Sequence, residues 1–221
     1  MLFRKDHVVL ERLKEEDIEL VRRWRNCKEI SQYMEFREHI TPAMQKAWFK
    51  SIDNVNNFYL LIHHKGKKIG LANGKSIDWE KRTIEGGIFI WDKSFQDTEI
   101  PVFVFILLGE LLVNVFHLDS YGRILKNNQK ARRFNTMLGY ELCEGQENKE
   151  NQLYRITREM YLKKADYFRK TFLSIGKGNS IEVVLENHEY EDGYANFIEN
   201  QMDLSAFREI RRTEEGKLFK M

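Results

Sequence analysis

Residues 100–116, IPVFVFILLGELLVNVF, constrain this chain more than any other stretch. A run this apolar, wound into a helix, has no polar face and must be covered all round. Either a bilayer or a protein interior can do that. The run falls just short of a full span. Glu110 and Asn114 interrupt it, and Asp97, Glu99 and Asp119 flank it where a membrane helix favours a basic cluster. The segment is therefore expected as a helix buried against a sheet in an α/β fold, with no membrane involved.

Its neighbours supply the sheet. TIEGGIFIW (83–91) reads as a strand before it and YGRILKN (121–127) as a strand after it. A strand–helix–strand connection of this length predicts a right-handed parallel crossover. Upstream, VVLERL (8–13) alternates as a strand, and KEEDIELVRRWRN runs from acidic to basic as a helix, with Ile18, Val21 and Trp24 on one face. Thr41-Pro42 marks another helix start, a hydroxyl cap followed by proline at the first helical position. FYLLIHH and KIGLANGKSI form a hairpin around Gly66. ILKNNQKARRFNTMLGY (124–140) ends a strand, caps a helix with Asn128 and stops it with Gly139. YELCEG and LYRITREMYL are expected to close the sheet as an antiparallel pair. The order β-α-α-β-β-β-α-β-α-β-β describes a mixed sheet flanked by helices.

The pattern changes after Lys163. SIGKGNS reads as a flexible joint, SIEVVLE as a short strand and DLSAFREIRR as a short amphipathic helix. The predicted division is a main domain over 1–164 and an extension over 165–221 used for packing or oligomer contact, with a homodimer as the candidate assembly.

Of the chain's 221 residues, 42% are apolar and 32% charged, enough for a sizeable core. A net charge of +2 gives no global pull toward nucleic acid. The aromatics are scattered at core spacings without an interleaved basic patch, which argues against single-stranded nucleic acid. Two cysteines, Cys27 and Cys143, are too few for a disulfide framework and suit a reducing cytoplasm. The start, MLFRKDHVVLERL, has neither the apolar run nor the cleavage site of a signal peptide. His63-His64 lacks partners at metal-ligand spacing, and HEYED (188–192) resembles a metal loop only in composition, so no metal is expected. No nucleophile-elbow pattern supports an acyl hydrolase.

The element order and the phrase N-x-x-A-x-x-F-x-x-x-L-G-Y, Asn128 to Tyr140, resemble the GNAT superfamily of acetyl-CoA-dependent N-acetyltransferases over residues 7–163. WRN (24–26), ISQYM (30–34) and ITPAMQKAWF (40–49) are similar to a narrower group, the amino-sugar N-acetyltransferases of nonulosonic (pseudaminic-type) acid biosynthesis and the ribosomal-protein N-terminal acetyltransferases. The fold so implied is a mostly antiparallel mixed sheet with a central parallel crossover. The implied reaction moves acetyl from acetyl-CoA, as co-substrate, to a primary amine of a small molecule, on a nucleotide-linked amino sugar.

The resemblance places roles on particular residues. Backbone of Ile88, Phe89, Ile90 and Trp91 would hold the pantetheine arm, and the loop bearing Gln96 and Thr98 would meet the phosphates. Asn128 would cap the next helix beside the cofactor, or act as a plain cap. Arg132, with Lys126, Lys130 and Arg133, would face phosphate or form a solvated helix face. Glu85 is the implied base, its alternative an exposed strand glutamate. Asn135 stands where the family carries a tyrosine acid; an amide can hydrogen-bond the thioester but cannot supply that proton. Tyr140 is expected in the core. Arg25, Asn26 and Gln45 fall on the acceptor side, Arg25 suiting a nucleotide phosphate or else a helix C-terminus. The loop SFQDTEIP departs from the family: it has no glycine, two acids, and Pro101, which has no N–H to donate. The rival readings are a non-catalytic GNAT-like binding module and a protein N-terminal acetyltransferase.

Overall fold

The alternation of large apolar residues along the predicted strands produces one sheet with two covered faces. The structure, a computed structural model, describes residues 1–175 and 180–221. In chain order the elements are β1 (Leu2–Lys5), β2 (Val8–Arg12), α1 (Ile18–Asn26), α2 (Lys28–Ser31), α3 (Pro42–Ile52), β3 (Phe58–His64), β4 (Lys67–Asp78), β5 (Thr83–Ile90), α4 (Lys93–Gln96) and α5 (Ile100–Gly109). There follow β6 (Asp119–Leu125), α6 (Gln129–Met137), β7 (Glu141–Leu142), β8 (Asn151–Ile156), α7 (Arg158–Lys164), α8 (Asp166–Ser174), β9 (Glu182–Glu186), α9 (Asn187–Glu191), α10 (Tyr194–Gln201), β10 (Glu209–Arg212) and β11 (Gly216–Lys220).

The strands form one sheet in the order β10-β11-β9-β1-β2-β3-β4-β5-β6-β8-β7. Every neighbouring pair is antiparallel except β5–β6, which is parallel. The mixed, mostly antiparallel α/β architecture with a central crossover is the one expected. Successive residues of a strand face opposite sides, and the core divides accordingly. Leu60, Ile62, Ile84 and Ile90 pack with α5 and the helices after it, whereas Leu61, Leu71 and Trp91 pack with α1 and α3.

Helix starts follow the local chemistry. Thr41 Oγ1 accepts the Met44 N–H at 3.2 Å ahead of Pro42, and Asn128 Oδ1 accepts the Ala131 N–H at 3.1 Å. Gly139, at φ +107°, ends the segment after α6. Among the described residues no helix is long and apolar enough to cross a membrane.

The 100–116 helix is not uniform. It is α-helical to Gly109 and then widens into a π-helical turn over Glu110–Val115. A Cβ at Gly109 would lie 2.4 Å from the Tyr161 ring, so only glycine lets α7 approach this closely. The wider turn presents Glu110 and Asn114 to that side. The buried Glu110 carboxylate accepts hydrogen bonds from Asn114 Nδ2 (2.6 Å), Tyr161 Oη (2.9 Å) and Arg169 Nε (2.5 Å).

Two expectations past residue 150 need correction. The strand in LYRITREMYL stops at Ile156, because the Thr157 hydroxyl accepts the Met160 N–H and starts α7. DLSAFREIRR is not a helix: a 3₁₀ turn at Leu204–Ala206 gives way to β10, where pairing with β11 overrides helical spacing. At the other end of the chain, no local pattern marks β1, which lies between β2 and β9. The joint expected over SIGKGNS falls largely on 176–179, outside the described residues.

Candidate active site

The parallel pair carries the site because it is incomplete. β5 and β6 pair only where Thr83–Glu85 meet Asp119–Tyr121. Beyond that point β5 stays with β4 as far as Ile90, while β6 leaves with β8 as far as Leu125. A fork opens between them. Trp91 N–H donates to Ile69 O, so backbone groups of the odd residues face β4, while those of Ile88 and Ile90, past the last contact with β6, face the fork. Among the described residues no strand pairs with that edge at Ile88 or Ile90. Unpaired backbone groups of this kind are a template for an extended polar ligand. Ile90 is the partial exception, since its carbonyl accepts Gln96 Nε2 at 2.8 Å.

Glu85 ends the paired segment and so stands at the apex of the fork. It lies on the α1–α3 face with Lys75 Nζ 2.8 Å from Oε1 and Arg123 Nε 3.2 Å from Oε2. Tyr59 adjoins this group: burial raises its hydroxyl above the ordinary tyrosine value, while Lys75 and Arg25 pull it down. Trp48 packs edge-on against Tyr59 with ring centroids 5.0 Å apart, and Trp24 stacks on Trp91 at 5.9 Å.

Arg25 is the electrostatic oddity of this face. Its Nε is buried without a hydrogen-bond partner and no carboxylate pairs with it among the described residues. Burial pushes the guanidinium below its ordinary value, opposed by Tyr59. A half-buried cation whose Nε is sealed off without a partner is costly, and so points to a ligand group that completes it.

The other expected residues divide. Asn26 spends its amide on Ile40, donating to the carbonyl and accepting the N–H, each at 2.9 Å. Gln45 is buried, and its Nε2 has no partner. Asn128 caps α6, as described. Arg132 is directed to Tyr154 Oη (3.1 Å) and the Lys126 carbonyl (3.3 Å). Asn135 Nδ2 donates to Ala131 O at 2.8 Å. Tyr140 is buried with its hydroxyl 2.7 Å from Ser120 Oγ, and burial pushes it up to about 12. Lys75, Tyr59 and Arg123 were not anticipated. They come from three strands, and no local spacing connects them to Glu85.

The loop after β5 satisfies most of its own amides, with the Glu99 and Val102 N–H groups left without an acceptor among the described residues. Asp97 and Thr98 N–H donate to Phe95 O, Ile100 N–H to Thr98 Oγ1 (3.3 Å) and Phe103 N–H to Glu99 O (3.0 Å). Pro101 has no N–H. Asp97 also holds Lys130 of α6 at 2.6 Å, across the mouth of the fork.

Two features lie apart from the fork. Glu186, His188 and Glu189 have ligand atoms close enough to share a cation. Glu186 and Glu189 already contact the Met1 amino group at 2.7 and 2.6 Å, and Glu189 also binds Arg12 at 3.0 Å. A cavity of about 700 Å³ lies by Glu110, Asn114, Arg158 and Arg208. Arg158 N–H bonds Asp119 at the start of β6, so this cavity sits at the closed end of the β5–β6 pair.

A family model described as an acetyltransferase (GNAT) domain matches residues 7–141. The chain belongs to the GNAT acetyltransferase family. Similar solved structures include a spermidine N-acetyltransferase from Vibrio cholerae in complex with CoA and spermine, at 18% identity and TM-score 0.61 over 72% of this chain and 99% of that one. A domain from Methanocaldococcus jannaschii DSM 2661 is similar at 19% identity and TM-score 0.60, over 67% and 97% of the two chains. A dodecameric V. cholerae spermidine N-acetyltransferase in an intermediate state is similar at 16% identity and TM-score 0.57, over 72% and 98%. These likenesses concern the fold. No curated protein matches the sequence.

The residues present fit the two ends of CoA unequally. Ile88 and Ile90 offer an extended edge that suits the amides of a pantetheine arm. At the start of α5 the amides of Ile100 and Phe103 are spent, Pro101 has none, and Asp97 and Glu99 would face a diphosphate with like charge.

Proposed function

We propose that this GNAT protein is an N-acetyltransferase that moves acetyl from a CoA-type thioester to the primary amine of a small molecule carrying an anionic group, a nucleotide-linked amino sugar in the fullest form of this reading. The carrying observation is Arg25, a half-buried arginine on the acceptor face of the fork whose buried Nε has no hydrogen-bond partner and which no carboxylate pairs among the described residues. Lys75 and Arg123 surround the single carboxylate Glu85, so the face around Arg25 is net cationic. A polyamine, the class of ligand bound by the V. cholerae neighbour, would meet like charge here. A phosphate or carboxylate would complete Arg25.

The chemistry is direct transfer. The neutral amine nitrogen attacks the thioester carbonyl carbon, the C–N bond forms and the C–S bond breaks. The amine loses a proton to Glu85 or a water it orders, and the departing thiolate takes one up. Each Glu85 oxygen meets one cation and keeps a further lone pair for the amine or a water. Asn135 Nδ2 spends one hydrogen on Ala131 O and keeps the second to hydrogen-bond the thioester.

Purified protein titrated with CoA and assayed with acetyl-CoA against amine panels tests this reading. Anionic amines should be acetylated and spermidine not. Arg25→Met should raise KM for the anionic amine by about 10-fold or more with a smaller change in kcat. Glu85→Gln should lower kcat by about 100-fold and Asn135→Tyr should raise it. Preferential acetylation of spermidine would overturn the acceptor assignment; absence of CoA binding at millimolar ligand would overturn the activity. The second reading, a binding module without catalysis, is favoured by the bond from Asn135 to Ala131, and binding without turnover on any amine would select it.

Residues 1–164 are proposed as the acetyltransferase unit, with 165–221 as a packing extension. The pairing of β9 with β1 supports the packing role. A cytoplasmic homodimer completes the proposal. Free Cys27 and Cys143 suit a reducing compartment, and the dodecameric neighbour is an assembled member of the same fold.

A further inference from the structure

The fork and the loop at its mouth disagree about the donor, and that disagreement carries an inference that rests on the transferase reading above. CoA offers a protein two handles, the amides of its pantetheine arm and the charged diphosphate of its nucleotide end. The first is met by an open strand edge. For the second, a helix N-terminus normally supplies converging N–H groups and positive potential.

Here that supply is cut down in three independent ways. The amides of Asp97, Thr98 and Ile100 are taken by Phe95 O and Thr98 Oγ1, and Pro101 removes another, so that among the described residues only the Glu99 and Val102 N–H groups of this turn have no acceptor. Asp97 and Glu99, both exposed, bring negative charge to the same turn. The nearby cations are also engaged: Lys130 with Asp97, and Arg132 with Tyr154 and the Lys126 carbonyl. No charged cradle is left for a nucleotide diphosphate.

We propose that this protein recognises its donor as an acyl-pantetheine thioester, gripped along the β5 edge, and that the nucleotide end of CoA contributes nothing to recognition. The donor class is therefore any acyl-pantetheine, whether the arm ends in a nucleotide or in a simple phosphate. Gln96 holds the Ile90 carbonyl while the edge is empty, and a pantetheine N–H replaces it there. The transfer is the one already written: the C–S bond breaks, the C–N bond forms, and the released thiol keeps whatever lies beyond the arm.

Calorimetric titration of the full chain with CoA, 4′-phosphopantetheine and pantetheine tests this. The three Kd values should agree within about threefold, and CoA affinity should stay flat between about 50 and about 300 mM salt, because no phosphate contact is there to be screened. The Asp97→Asn/Glu99→Gln variant takes both acids from the turn and frees Lys130 to meet a diphosphate. It should tighten CoA at least about 5-fold while leaving pantetheine unchanged. CoA binding about 30-fold or more tighter than pantetheine to the unmodified protein, with a steep salt dependence, would overturn the inference and leave the transferase reading standing. Binding of none of the three would overturn the transferase reading itself. Equal tightening of CoA and pantetheine by the double variant would also overturn the inference, since it would place the effect on the shared arm.

Discussion

The β5 edge and the loop that follows it face the same problem, unpaired backbone groups at the mouth of a fork, and solve it in opposite ways. The edge leaves Ile88 without a strand partner because β6 turns away with β8 after Tyr121. The loop turns inward and spends most of its amides on Phe95 O, Thr98 Oγ1 and Glu99 O. An open edge costs stability unless something binds it, whereas a satisfied loop needs no ligand. Keeping one part open within ten residues of another that is closed identifies where binding energy is available in this protein.

The sharpest break of that contrast is on the edge. A Cβ at Gly70 would lie 2.6 Å from Phe89 O and 3.0 Å from Ile90 Cα, both backbone atoms of β5. Gly70→Ala should therefore shift the edge as a unit and destabilise the chain by about 2 kcal/mol, a fall of about 4–8 °C in Tm for a chain of this size. Thermal melts with and without pantetheine measure both effects, and an unchanged Tm would mean that β5 yields without cost.

A smaller effect reads the underside of the loop. His64 packs on Phe95 at 5.2 Å between ring centroids, and burial lowers its pKa below 6.5, with Glu99 opposing. Burial also lowers His63, with Glu11 opposing. The unfolded chain thus binds more protons than the folded one as pH falls through about 6.5. Stability should rise with pH from about 5 to about 6.5 and level off above. Melts across this range should show the slope, and His63→Gln/His64→Gln should flatten it. A slope that survives the double substitution would assign it to other groups.

The smallest effect belongs to Lys130. Its pair with Asp97 is exposed on both sides, and such pairs contribute little. Lys130→Ala should leave Tm unchanged, and a clear fall would show that the mouth of the fork is held shut by that contact.

Much of the fold was legible because it rests on local chemistry. Thr41 and Asn128 cap their helices as their positions suggest, and Gly139 takes the positive φ that ends α6. The crossover from β5 through α5 to β6 follows from an apolar run between two strands. The C-terminal part was harder. Residues 209–212 carry helix-compatible spacing yet pair as β10 with β11, and β9 finds β1 almost the whole chain away. Local pattern is a weak guide where pairing partners decide the outcome.

The site divides along the same line. The acids and proline of SFQDTEIP, and the amide at Asn135, are read directly from residue type, since neither an absent N–H nor an absent hydroxyl depends on the fold. Arg25 is different. That its Nε is buried and unmatched, and that Lys75, Arg123 and Tyr59 gather around Glu85, follow from strands and helices distant in sequence meeting on one face. The sequence determined which groups were available to the chain and which donors were missing. Only the tertiary structure decided which charges were left without partners, because compensation of charge depends on distances that no spacing along the chain encodes.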